Sequence, residues 1–153
     1  MANDVRVDDF GTEADLKKLA LFLTDLRSLW PLIVPLATRW WAEMFKSEGA
    51  FAGAAWSPLS PDYAARKAID FPGKPILQRT GALKQAASRP SRFVTPTTLT
   101  LSIESDYLPH LQEGTSRMPA RPLVFAEPLP TEARAELDAV AELYVRDLLN
   151  RIG

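Results

Sequence analysis

Few residues in this chain are equipped for chemistry. It contains no cysteine and a single histidine, His110. The lack of thiols removes disulfides, thiolate nucleophiles, zinc–thiolate sites and iron–sulfur clusters together. One imidazole is too few for a histidine zinc site, and a triad needs its base beside a nucleophile. His110 therefore reads as a hydrogen-bonded loop histidine, not a ligand. The 19 Asp and Glu residues leave carboxylate chemistry open. A pair drawn from Glu43, Glu48, Asp62 and Asp70 is the candidate, but no spacing argues for it and no calcium-loop pattern occurs. The expectation is a protein that is not an enzyme, has no cofactor and no metal, and works through its surfaces.

Cationic residues are a stronger signal. The net charge is −1, yet residues 61–92 hold seven Lys/Arg (Arg66, Lys67, Lys74, Arg79, Lys84, Arg89 and Arg92) against Asp62 and Asp70. The flanks are acidic, at −2 over residues 1–60 and −4 over residues 93–153. The basic segment is either a solvated face or a patch that meets an acidic partner surface or nucleic acid. The sequence pI of about 5.9, the lack of interleaved aromatics and the absence of a DNA-binding motif argue against nucleic acid. Arg121, between Ala120 and Pro122, offers a planar fork suited to carboxylates or backbone carbonyls, within one subunit or between two.

The elements that must position these residues follow from periodicity. Val5 and Val7 suggest a short edge strand. Thr12 caps a helix whose stripe is Leu16, Leu19, Leu23 and Leu26, extended by Ala20 and Trp30. Pro31 and Pro35 should break or kink it, with helix resuming over residues 36–45. Within Trp40-Trp41, one ring faces the core and the other lies near the surface for a neighbouring subunit, or both pack internally. Ser60 and Pro61 start a helix to Ala68, FPGKP turns the chain, and Thr80 caps a helix to Ala87. Residues 92–104 read as a hairpin, with Leu99, Leu101 and Ile103 on its buried face. A loop-rich stretch follows Tyr107. The last helix starts at Thr131 and aligns Leu137, Val140, Ala141, Tyr144, Leu148 and Ile152.

The 153 residues fit a single domain spanning 1–153, with a composition that is 46% apolar and 24% charged. No apolar run is long enough to span a membrane, and the acidic start lacks the apolar centre of an export signal. The expected fold class is α+β: N- and C-terminal helices packed on a small antiparallel sheet, with long extended loops.

Two stretches are more specific than folding alone demands. The first is Trp56-Ser-Pro-Leu59-Ser, then Lys67, then Ile76-Leu77-Gln-Arg-Thr80-Gly81-Ala-Leu83. The second is Tyr107-Leu-Pro-His110-Leu-Gln-Glu-Gly114, then Pro119-Ala120-Arg121-Pro122. In this order they resemble the phage virion morphogenesis family of tail-completion proteins, related to the neck proteins of long-tailed phages. Leu108-Pro109 stands where that family favours alanine and an apolar residue, and Leu123 where it often has an aromatic. The resemblance covers about residues 50–125.

That resemblance implies a structural virion protein at the head–tail junction, assembled from the host cytoplasm. It implies a homo-oligomeric ring, hexameric in the common case, that encloses DNA without reading its sequence and touches adjacent neck, connector or tail-terminator proteins but no membrane. Trp41, Arg66, Lys67, Lys74, Arg79, Lys84, Arg117 and Arg121 are the residues expected at subunit or partner interfaces. Basic residues 61–92 would meet acidic residues 93–153 of the next copy, with loops 46–75 and 113–125 toward neighbouring rings. Trp56, Leu59, Leu77, Gly81, Leu83, Tyr107, His110, Gly114, Pro119 and Pro122 are the structural motif. The competing reading is a nucleic-acid-binding module using residues 61–92.

Overall fold

The computed structural model describes residues 13–152, so the expected strand at Val5 and Val7 and the Thr12 cap lie outside the described residues. Helix α1 (Glu13–Leu23) ends before the proposed stripe does, and Trp30 opens the next helix. Leu16 and Leu23 of that stripe are exposed. Helix α2 (Trp30–Lys46) is continuous, which corrects the expected break at its prolines. Pro31 occupies a first-turn position whose N–H has no intrahelical partner in any case. Pro35 costs one ladder bond. The burial of Val34, Ala37, Trp40, Trp41, Met44 and Phe45 along the same helix outweighs that loss.

After a short 3-10 turn at Ala50–Ala52 come α3 (Pro61–Asp70) and α4 (Ala82–Ser88). Gly81 precedes α4 with φ +79°, a left-handed position that glycine adopts without strain. Strands β1 (Ser91–Val94) and β2 (Leu99–Ser102) pair antiparallel with Phe93 opposite Thr100. Leu99 and Leu101 are half-buried and Ile103 buried, while Thr98, Thr100, Ser102 and Glu104 are exposed, the alternation read from the sequence. The segment after Tyr107 is not all loop. Leu108–Glu113 forms α5, with Pro109 in its first turn where no N–H is needed. Helix α6 (Thr131–Ile152) closes the chain.

The fold is a mostly helical α+β arrangement in which the N- and C-terminal helices touch, α1 against α6. Helix α2 is central, packing on α4 and on α6. One core cluster joins Trp41, Met44, Phe45, Trp56, Ala87, Ile103 and Leu123. The second joins Ala37, Trp40 and Ala133, and Phe51, Leu101 and Phe125 pack against both. Trp40 and Trp41 are 5% and 6% exposed, so both rings are internal and Trp41 is no surface anchor. A helix covered on two sides has room for adjacent large side chains in opposite clusters.

Candidate functional site

The two motif stretches, separated by residues 84–106, close on one another. Trp56 is buried edge-on to Phe45 at 5.9 Å between ring centroids. Its indole N–H donates to the Pro122 carbonyl at 2.8 Å. Arg121, 4% exposed, donates through Nε to the Ser57 carbonyl at 2.7 Å and through a terminal nitrogen to Pro58 at 2.8 Å. Of the two roles open to Arg121, the structure places it as a clamp within the subunit, not as an exposed interface residue. Gln112 fastens the same strap, donating to the Val124 carbonyl and accepting from the amides of Leu123 and Val124. Charged and polar side chains here replace the backbone partners that irregular chain lacks.

Two glycines make the clasp possible. Gly114 has φ +76°, and a Cβ there would lie 2.8 Å from the Ala120 amide nitrogen. Gly49, with φ +92°, faces the Trp56 ring so closely that a Cβ would sit 2.6 Å from Cδ1. Nothing in the local sequence marks Gly49 for this role, because its partner is fixed by tertiary packing. Leu77 also has positive φ, at 60°, and its side chain packs on the first core cluster beside Leu83. Leu59 is half-buried, whereas Pro119 and Pro122 are exposed. Tyr107, 54% exposed, stacks edge-on to His110 at 6.4 Å, and its hydroxyl lies 3.6 Å from the Met118 sulfur.

Lys67 does not join the basic surface. It is 6% exposed and donates to the Pro75 carbonyl at 2.5 Å, tying α3 to the turn behind it. Burial pushes its pKa down, Glu48 opposes that shift, and Arg121 adds to it. The cause is physical: a lysine in an exposed-looking helix finds a carbonyl eight residues on, which charge patterning does not register. Arg66, Lys74, Arg79 and Lys84 are exposed. Arg79 lies 5.2 Å over the Phe71 ring, and Lys84 donates to Gln78 at 3.3 Å.

The charges divide sharply. Lys18, Arg27, Arg39, Lys46, Arg134, Arg146 and Arg151 each pair with a carboxylate of the same chain. Among the described residues, Arg66, Lys74, Arg79, Lys84, Arg89, Arg92 and Arg117 pair with none. Glu136 joins α6 to α2 by accepting from Trp40 Nε1 at 2.6 Å and from Arg39. Its carboxyl is held below the usual range first by the Trp40 N–H and then by Arg39. Of the four candidate carboxylates, Glu43 pairs with Lys46, Glu48 accepts from the Ile76 amide, and Asp62 and Asp70 are exposed on α3. No group of three His, Asp or Glu side chains gathers among the described residues.

An apolar groove of about 610 Å³ opens between the start of α2, the hairpin, residues 124–129 and α6. Leu29, Trp30, Trp41, Phe125, Leu129 and Leu137 are among its walls. The indole N–H of Trp41 is buried without a hydrogen-bond partner, at a cost of about 1–3 kcal/mol. Glu127 and Glu132 are exposed and have no ion-pair partner among the described residues. In comparison with known proteins, no family model, no curated protein and no solved structure matches the chain.

Proposed function

We propose that the protein is a structural component of the head–tail connection of a tailed phage or prophage, a tail-completion or neck subunit that forms a ring around the DNA path. One observation carries the reading: the stretches Trp56–Leu83 and Tyr107–Pro122 occur in the order of the family they resemble and lock together through Trp56 and Arg121. Irregular chain clasped in this way presents long loops rigidly, which suits contacts with stacked partners. A closed ring needs two different faces on each subunit, and the separated charges supply them. In this reading the protein occupies the virion and, during assembly, the host cytoplasm. No helix among the described residues is long and apolar enough to cross a membrane. The test is complementation of a phage or prophage lacking the gene. Wild type restores joined heads and tails, with the protein labelled at the junction by electron microscopy. Normal particles without it, or label elsewhere, refute the reading.

The unpaired cations from Arg66 to Arg117 favour one second reading, a nucleic-acid-binding module. Its test is a duplex DNA titration at two salt concentrations. The connector reading expects no sub-micromolar binding near physiological salt. Tight binding that weakens steeply with salt moves the assignment to the second reading.

A further inference from the structure

We infer that the outer edge of strand β1 accepts a third strand, and that its occupant is residues 4–9 of a second copy of this chain, antiparallel, with Val7 opposite Phe93. The inference rests on the ring reading and names one contact between its subunits. All four residues of β1 are exposed, and among the described residues only β2 pairs with it. Phe93 is 67% exposed and Val94 45%. A two-stranded ribbon is marginal in water, and an uncovered edge is a template for another strand. The free groups can be named. The Thr95 N–H donates to the Thr98 carbonyl at 2.9 Å, so these two form a hydrogen-bonded pair. Pair types alternate from there through Val94–Leu99, Phe93–Thr100 and Arg92–Leu101. The N–H and C=O groups of Arg92 and Val94 therefore point away from β2, and no backbone group among the described residues bonds to them from that side. Pro90 and Pro96 flank the strand without entering it, so no proline blocks the edge.

The sequence supplies a complementary strand. Residues 4–9 read DVRVDD, in which Val5 and Val7 alternate with charges and three Asp outweigh Arg6. At the acceptor, Arg89 and Arg92 have no carboxylate partner among the described residues, and Glu104, bonded to the Ser91 hydroxyl, offsets one of them. Placing Asp8 opposite Arg92 sets Val7 opposite Phe93 and Arg6 opposite Val94. That register joins an opposite-charge pair to an aromatic–β-branched pair, both favourable across strands. A slip of two residues one way opposes Arg6 to Arg92, and every other slip of one or two opposes a charge to Phe93. Reach assigns the strand to a second copy. Helix α1 packs on α6, and the chain meets the hairpin only beyond the helix's other end, where the Leu26 N–H bonds Pro96. Extended chain from residue 9 to residue 13 spans about 14 Å, less than the roughly 16 Å length of α1. Donor and acceptor are then different surfaces, as a head-to-tail ring requires.

The absence of cysteine leaves disulfide trapping free of background. Val7→Cys protein is mixed with Phe93→Cys protein under mild oxidation, with Val7→Cys plus Ala139→Cys as control. Directly opposed residues of a non-hydrogen-bonded pair lie within disulfide reach, so covalent dimers are expected from the first mixture and not from the control. Equal trapping in the control overturns the inference. So does Phe93→Cys linking to itself as readily as to Val7→Cys, which would pair β1 with β1. A chain carrying both changes should yield linked oligomers, and a crosslinked monomer instead would put the segment on its own hairpin and overturn the assignment to a second copy. In parallel, sedimentation compares wild type, Asp8→Arg, Arg92→Asp and the two changes combined in one chain. Each single change opposes like charges and should weaken association about three- to tenfold, and the combined chain should regain it. Arg92 is exposed, so the Arg92→Asp melting curve should match wild type. Unimpaired association of both single variants overturns this contact and leaves the ring standing, because particle complementation judges the ring separately. A wild type that stays monomeric at the highest concentrations reached, with no trapped dimer, also overturns the contact.

Discussion

Replacing Gly49 with alanine tests the packing logic of the clasp, and Gly53 provides the control. Both glycines flank the 3-10 turn with similar backbone, φ +92° and φ +100°. A side chain at either position incurs the left-handed penalty of about 1–2 kcal/mol. At Gly53 nothing lies within 4 Å of an added Cβ, so the cost ends there. At Gly49 the Cβ would meet Trp56 Cδ1, Nε1 and Cγ at 2.6, 2.8 and 2.9 Å. That ring cannot retreat, because it lies against Phe45 and is bonded to the Pro122 carbonyl. Overpacking of this kind adds about 1–3 kcal/mol. Gly49→Ala should therefore destabilise by about 2–5 kcal/mol, and Gly53→Ala by about 1–2. Urea denaturation monitored by tryptophan fluorescence measures both. Adding Trp56→Ala should remove the difference between them, since the colliding ring is gone. Equal losses for the two glycine variants, or a difference that survives Trp56→Ala, would refute the reasoning.

Trp56→Ala itself should cost about 3–5 kcal/mol, the range for deleting a large buried aromatic; a parental melting curve combined with failed particle assembly would place Trp56 at an interface instead. Arg66→Glu should melt like wild type, whereas Lys67→Glu should lose more than about 2 kcal/mol, because it leaves the Pro75 carbonyl unpaired and buries a carboxylate beside it. Matching denaturation curves for those two variants would contradict the burial of Lys67. Trp41→Phe should change stability by no more than about 1 kcal/mol in either direction, since the indole N–H it removes has no partner; a loss above about 3 kcal/mol would mean that the N–H is satisfied. For Glu136 the folded carboxyl titrates below its ordinary value of 4.5, so its contribution is present above that pH and lost as pH falls through the folded value. Thermal melts of Glu136→Gln should lack this part of the acid dependence, and an unchanged acid profile would show that the Trp40 and Arg39 contacts do not hold the carboxylate.

Much of the scaffold was legible because local pattern and burial agree. The alternation Leu99, Leu101, Ile103 predicts the buried face of the hairpin, and Pro61 after Ser60 predicts the start of α3. What resisted reading depends on partners distant in the chain. Pro35 looks like a breaker until the buried residues around it are counted along one continuous helix. Pro109 suggests loop, yet in a first turn its missing N–H costs nothing. Lys67 belongs by composition to a basic surface, and only the carbonyl of Pro75 removes it from there. Arg121 was legible as a fork seeking oxygens, though not whose oxygens. Gly49 carried no sequence mark of its role, since that role is the shape of a tryptophan seven residues on.

The clasp and the charge pattern bear on one question, how a chain with this much irregular structure presents fixed surfaces. The Ser57 and Pro58 carbonyls are held by Arg121, α3 follows directly from Ser60, and the far end of α3 is tied down by Lys67 through Pro75. The orientation of Ile69 and Arg66 is thus set by backbone carbonyls bonded to buried cations. The strap carrying Glu127 starts from the same Arg121 and is pinned by Gln112 at Leu123 and Val124. Helix α3 and the strap are therefore linked through one arginine. An Arg121→Lys substitution keeps the charge but cannot span two carbonyls with a rigid fork. It should loosen both segments at once while leaving the α2–α6 core, and the Glu136 contacts within it, folded. Hydrogen exchange locates the effect: faster exchange at α3 and at Leu123–Val124 with α2 and α6 unchanged is the expected outcome. Exchange that rises uniformly across the chain would make Arg121 a determinant of global stability instead of a local clasp.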